Sequence, residues 1–192
     1  MDQLKSIKNH LKIQSEYLIV IESYIPFLNK LKNLNEKDIL KRPYLSVVTR
    51  MVKCDLVISI SVLCDYNSDY SFSKLRNKEV SLGNQGMSKT DREQSCKMVN
   101  EITEIYEGLN LKYIRDKYCA HLDKRRNNKK LELNKLDELY TKMCCVNKFY
   151  GDNLFQESSA FGINKGILTE LLDDNKLLLK YINEERRNKS NR

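Results

Sequence analysis

Apolar side chains recur along the first thirty residues at Leu4, Ile7, Leu11, Leu18, Ile21, Ile25 and Leu28, with one polar interruption at Gln14. This spacing of three and four predicts a helix over residues 3–32 with a single inward stripe, heptad-like over about four heptads. Pro26 lies inside it, where it removes a backbone donor and crowds the preceding turn, so a kink is expected. Packing within the core is the expected role of this seam, ahead of contact with a second chain. His10, between Lys8 and Lys12, is expected to be solvated.

A second helix is predicted from Pro43, which suits a first helical turn, to about residue 65. Val47, Val48, Met51, Val52, Leu56, Val57, Ile58, Ile60, Val62 and Leu63 cover nearly every face, which places that helix at the centre of the fold. Asp55 then reads as a satisfied core carboxylate. From residue 66 to 88 the chain turns polar, with a short helix at 72–78 in an ordered surface excursion bordering the cleft. Gly83-Asn84-Gln85-Gly86 lacks the strand context and lysine of a phosphate-cradling loop.

Thr90 followed by Glu93 reads as a capping box opening a helix of about 33 residues. Met98, Ile102, Ile105 and Leu109 form its inner stripe, which continues through Lys112 or Tyr113 to Asp116 and Ala120, so one face passes from apolar to ionisable. Asn127-Asn128 offers a stop. Two further helices are expected at 134–150 and 164–186, separated by a loop at 151–161. The first has an only moderately apolar inner face, and the second carries Ile167, Leu168, Leu171, Leu172, Leu178, Leu179 and Ile182 inward. The predicted fold is all-α, an antiparallel bundle of about five helices forming one domain over 1–186, with a frayed basic tail at 187–192.

Composition agrees with one domain: 192 residues, 41% hydrophobic, with two prolines and six glycines to punctuate the chain. The six cysteines form no CxxC pair, and the start MDQLKSIKNHLK lacks the apolar stretch of a secretory signal, so reduced thiols in a cytoplasmic protein are expected. Cys119, Cys144 and Cys145 are expected as small packing residues. The longest nearly apolar run, Leu56 to Cys64, is about half a membrane span, so no membrane contact is expected.

The net charge of +8 is concentrated in two places. Residues 112–130 hold eight basic side chains against Asp116 and Asp123, and residues 184–192 hold four against two acids. Within the first segment stand Arg115, Asp116 and, six positions after the arginine, His121. A guanidinium neutralises charge developing on a phosphate and an imidazole exchanges protons near neutral pH, which points to RNA cleavage without metal or cofactor. On one straight helix Arg115 and His121 stand about 120° and about 9 Å apart, too far to clasp one phosphate easily. Two copies about a two-fold axis bring both pairs into one cleft, so a homodimer is expected. Lys117, Lys124, Arg125 and Arg126 are expected to hold the RNA backbone, and the rings of Tyr113 and Tyr118 to stack or pack nearby. The plainer alternatives are a cationic helix end satisfying its dipole and a capped surface histidine.

The stretch Ile114 to Asp123, IRDKYCAHLD, resembles the active-site motif of the HEPN superfamily, in which an arginine, a polar residue and a histidine follow within four to six intervening residues. It is most similar to the AbiU-type branch, named for bacterial abortive-infection proteins that defend against phage. Leu63-Cys64-Asp65 followed by Ser71-Phe72-Ser73-Lys74-Leu75 is similar to that branch's helix end and serine-containing segment, so the resemblance spans roughly residues 40–125. It implies a metal-independent endoribonuclease in a helical dimer, acting in phage defence or as a toxin, with an antitoxin or another defence-system protein as a further partner. On this reading His121 is general acid or base, Arg115 stabilises the transition state, and Asp116, where the family often has asparagine, orients one of them. The competing expectation is a noncatalytic helical module that binds nucleic acid or a protein with the same basic surface.

Overall fold

The computed structural model describes residues 2–32, 43–119 and 131–155, and the fold is all-α. In chain order it has α1 (Asp2–Lys32), α2 (Pro43–Cys64), α3 (Phe72–Val80), a 3-10 turn (Gly83–Gln85), α4 (Lys89–Gly108), a short α5 (Leu111–Ile114), a π-helical turn (Arg115–Cys119) and α6 (Leu133–Phe155). α1 packs against both α2 and α6, α6 packs against α4, and α3 touches α1 and α4. One core joins them, with Ile7, Leu11, Ile21, Leu56, Ile60, Leu63, Leu136 and Leu139 all fully buried. Among the described residues no helix is long and apolar enough to cross a membrane. The expected stop at Asn127-Asn128, the helix at 164–186 and the tail at 187–192 lie outside the described residues.

The α1 stripe is buried from Ile7 to Leu28, and the helix continues through an exposed Pro26. Gln14 is no flaw in it: its amide donates to the Tyr70 carbonyl at 2.9 Å and its oxygen accepts from Asn147 at 3.4 Å. Asn147 also donates to the Leu11 carbonyl at 3.3 Å and accepts from Ser15 at 3.2 Å, so a polar layer crosses the α1–α6 seam. His10 belongs to the same layer, not to solvent as its lysine neighbours suggested. Its Nε2 lies 3.3 Å from the Ser71 carbonyl oxygen and its ring meets the edge of Tyr70. Burial, with the charge of Lys78, pushes its pKa down to about 4.

α2 is apolar on two opposite faces, only one of which is buried. Leu45, Leu56, Ile60 and Leu63 point into the core, while Tyr44, Val47, Met51 and Ile58 are 68%, 56%, 64% and 39% exposed. At 100° per residue those four fall within about 60° of one another, roughly opposite the buried face. α2 still holds the central position expected for it, touching α1, α3, α4, α5 and the π turn, but its second apolar face is exposed. Asp55 is likewise exposed, and it accepts from the Tyr24 hydroxyl at 2.6 Å.

The polar stretch after α2 is held by Glu79, which is fully buried at the end of α3. Its Oε1 accepts from the Met87 amide at 2.8 Å and from Arg92 Nε at 3.0 Å, and Arg92 also donates to the Gly83 carbonyl. The N-terminus of α4 is capped two residues earlier than expected: Ser88 Oγ accepts the Asp91 amide, and Asp91 Oδ2 accepts the Ser88 hydroxyl. The long helix expected from Thr90 ends at Gly108. Asn110 adopts a left-handed conformation, φ 58°, and the chain restarts as α5. α6 runs to Phe155, past the loop expected at 151, and buries Leu136, Leu139, Met143, Val146 and Tyr150, so its inner face is more apolar in effect than it reads. All six cysteines are free thiols; Cys119 and Cys144 are half-buried, but Cys145 is exposed and does not pack.

Candidate functional site

The break at Asn110 resets the helical register, so Leu111 and Ile114 become the buried residues that anchor the next turn. Arg115 follows them at the start of the π-helical turn. Turns of this kind displace the register by about one residue and occur frequently at functional sites. The single helix of about 33 residues expected from Thr90 presumed unbroken α geometry, and the break at Asn110 and the π turn remove that premise.

Arg115 is gripped from two sides. Its Nε donates to Asp116 Oδ1 and its Nη1 to Asp65 Oδ2, both at 2.8 Å. Asp65 sits just past the end of α2 and is buried. Its other oxygen accepts the Asn67 amide at 3.1 Å, the side-chain-to-backbone turn that aspartate favours where a helix stops. Burial pushes the Asp65 carboxyl pKa up, but the Asn67 amide, the Arg115 guanidinium and the charge of Lys112 together outweigh it and hold the carboxyl below its ordinary value. The guanidinium pKa is raised, first by Asp116, with burial opposing and Asp65 reinforcing.

Two further elements close around this pair. Tyr106, near the end of α4, donates to Ser61 Oγ at 3.1 Å one turn before Asp65, and burial pushes its phenol up to about 12. Cys119, at the end of the π turn, lies with its Sγ 3.7 Å from the Cys54 carbonyl oxygen on α2. Burial, then the neighbouring Cys54 thiol, pushes the Cys119 pKa up to about 12, so it stays a protonated packing group rather than a nucleophile.

Arg115 and Asp116 are thus in contact, as their adjacency suggested, and Lys112 and Lys117 are exposed on the same segment. Tyr118 lies in the π turn, whereas His121, Lys124, Arg125 and Arg126 are outside the described residues. Asp65 was noticed in sequence only as part of a helix end. Its partnership with an arginine fifty residues away has no local signature. Chemically, a guanidinium has five N–H donors, of which two are committed here. Among the described residues the other three meet no acceptor, and the side chain is 28% exposed. An oxyanion can therefore reach it, against the opposing charge of two carboxylates. Among the described residues no three metal-ligating side chains come together. No family model matches the chain, and no curated protein or solved structure is significantly similar to it.

Proposed function

We propose that the protein is a metal-independent endoribonuclease of HEPN type, acting as a homodimer in phage defence or as a toxin. The observation that carries this reading is Arg115, part-exposed on a π-helical turn, oriented by two carboxylates and followed six residues later by His121. In this mechanism the RNA 2′-hydroxyl attacks the adjacent phosphorus. His121 takes or returns the proton, and Arg115 stabilises the charge that builds on the pentavalent phosphorus. Asp116 and Asp65 position the guanidinium, and Lys117, Lys124, Arg125 and Arg126 hold flanking phosphates. An antitoxin or another defence-system protein would keep such an activity in check.

One observation favours a second reading. Asp65 and Asp116 together offset the charge of Arg115 and tie the π turn to α2, as a structural clamp would. In that case the protein is a noncatalytic helical module that binds RNA or a protein partner through its basic segment. Incubation of purified protein with labelled RNAs in EDTA separates the two. The nuclease yields fragments ending in 2′,3′-cyclic phosphate, and His121→Ala and Arg115→Ala abolish them. RNA binding that falls with salt, without cleavage, supports the module. A strict magnesium requirement for cleavage overturns the mechanism.

A further inference from the structure

The turn that joins α2 to α3 carries Tyr66, the residue after Asp65, and 60% of its surface is exposed. The backbone, not packing of the ring, sets where it stands. The Asn67 amide donates to Asp65 Oδ1 at 3.1 Å, the Ser68 amide to the Asp65 carbonyl at 2.9 Å, and the Ser71 amide to the Ser68 carbonyl at 3.3 Å. At the far end of the turn the Tyr70 carbonyl accepts from Gln14 and the Ser71 carbonyl meets His10, both on α1. The turn is thus tied to the core at one end and to Arg115, through Asp65, at the other. Consecutive Cα atoms are about 3.8 Å apart, so Tyr66 stands beside the carboxylate that grips the guanidinium.

Lys74 is brought to the same ring from α3. Ser71 Oγ caps that helix by accepting the Lys74 amide at 3.3 Å, and the Lys74 ammonium lies 5.3 Å from the centroid of the Tyr66 ring. A cation over an exposed ring orients it and leaves the rest of its surface open. Lys112 is close enough to Asp65 to act on its carboxyl. Cations therefore stand on both sides of the turn, Lys112 and Arg115 from α5 and the π turn, Lys74 from α3.

An open aromatic ring between cations is the arrangement by which proteins hold an unpaired nucleic-acid strand: the ring stacks on a base while the cations neutralise the phosphates beside it. We infer that Tyr66 and Lys74 form a base-binding subsite, in which an unpaired RNA base stacks on the Tyr66 ring and Lys74 holds a phosphate near the one that meets Arg115. Bases inside a duplex are already stacked on one another and cannot reach the ring, so the strand is unpaired at this point. The inference rests on the reading that RNA is what Arg115 meets.

The chain has no tryptophan, so Tyr66→Trp in the full-length protein installs a single fluorescent reporter that keeps a stacking ring. The test titrates this variant with single-stranded 2′-O-methyl RNA of mixed sequence, which lacks the attacking hydroxyl, and separately with its duplex and with inorganic polyphosphate. The single strand should quench the emission, and the duplex and polyphosphate should not. With the same single strand, Tyr66→Ala should weaken binding about tenfold, and Tyr66→Phe should recover most of the loss. Lys74→Gln should lower the slope of log affinity against log salt by about one. Equal binding by wild type and Tyr66→Ala, or equal quenching by single strand and polyphosphate, overturns the subsite while leaving the RNA reading in place. Absence of RNA binding by the wild type overturns both.

Discussion

Replacing Asp65 by alanine removes the ion pair that holds the arginine of the π turn against the end of α2. Two hydrogen bonds are lost: the charge-assisted one from Arg115 Nη1 and the one from the Asn67 amide. Bonds to charged groups contribute about 1.5–3 kcal/mol and neutral ones about 1 kcal/mol. The carboxylate is 8% exposed and the guanidinium 28%, and Asp116 still pairs with the latter, so the lower half of the first range applies. Asp65→Ala should therefore cost about 2.5–3 kcal/mol, and Asp65→Asn, which retains an acceptor for Asn67, about 1.5 kcal/mol. For a chain of this length that corresponds to a fall in Tm of about 5–10 °C for the alanine variant. Urea titrations at pH 3 to 7 read both numbers. Because the folded carboxyl pKa is held below its unfolded value of about 3.9, the stabilisation is fully present above that pH and is lost as pH falls through the folded value. The gap between wild type and Asp65→Ala should thus be constant from pH 5 to 7 and narrow below about pH 4. Coincident midpoints at pH 7, or a gap that does not narrow in acid, would refute the idea that a charged Asp65 clamps Arg115.

Three other outcomes follow from buried polar groups. His10, held neutral down to about pH 4, binds no proton in the folded state while the unfolded chain takes one up below about 6.5. Stability should decline by about 3 kcal/mol between those values and level off beneath them, and His10→Gln should flatten that slope in thermal melts. Glu79→Ala leaves Arg92 and the Met87 amide without their acceptor and should cost about 3 kcal/mol, with faster amide exchange confined at first to residues 81–88. Asn147→Ala strips Gln14 and Ser15 of a partner and should cost about 2 kcal/mol in urea unfolding.

Helical class and the four long helices were legible because apolar period is a property of contiguous residues. What failed to show was anything decided by a distant neighbour. His10 looked solvated because Lys8 and Lys12 flank it, yet its partner Ser71 is 61 positions away. Period also cannot say which of two apolar faces finds a partner, which is why the exposure of Tyr44, Val47, Met51 and Ile58 on α2 was not foreseen. The break between α4 and α5 rests on Gly108 and a left-handed Asn110, residue types that end helices, but the apolar stripe running on through Leu109 masked the stop. At the candidate site, Arg115 and Asp116 were found together because they are adjacent, whereas Asp65, Tyr106 and Ser61 are brought in only by helix packing.

The polar layer between α1 and α6 has a consequence for how freely the rest of the chain can change. A seam of leucines and isoleucines is degenerate: sliding one helix by a turn, about 5.4 Å, still sets hydrocarbon against hydrocarbon. Such a slide would strand the Asn147 amide, which meets Leu11, Gln14 and Ser15 across the seam, at about 1–3 kcal/mol for each unsatisfied group, while Ser15 keeps the Leu11 carbonyl and Gln14 the Tyr70 carbonyl. The helices are thus keyed like a lock with a single cut, and their alignment owes nothing to the length of the segments that join them. Insertions or deletions at 33–42 or 120–130 should then leave unchanged which side chains meet across the core.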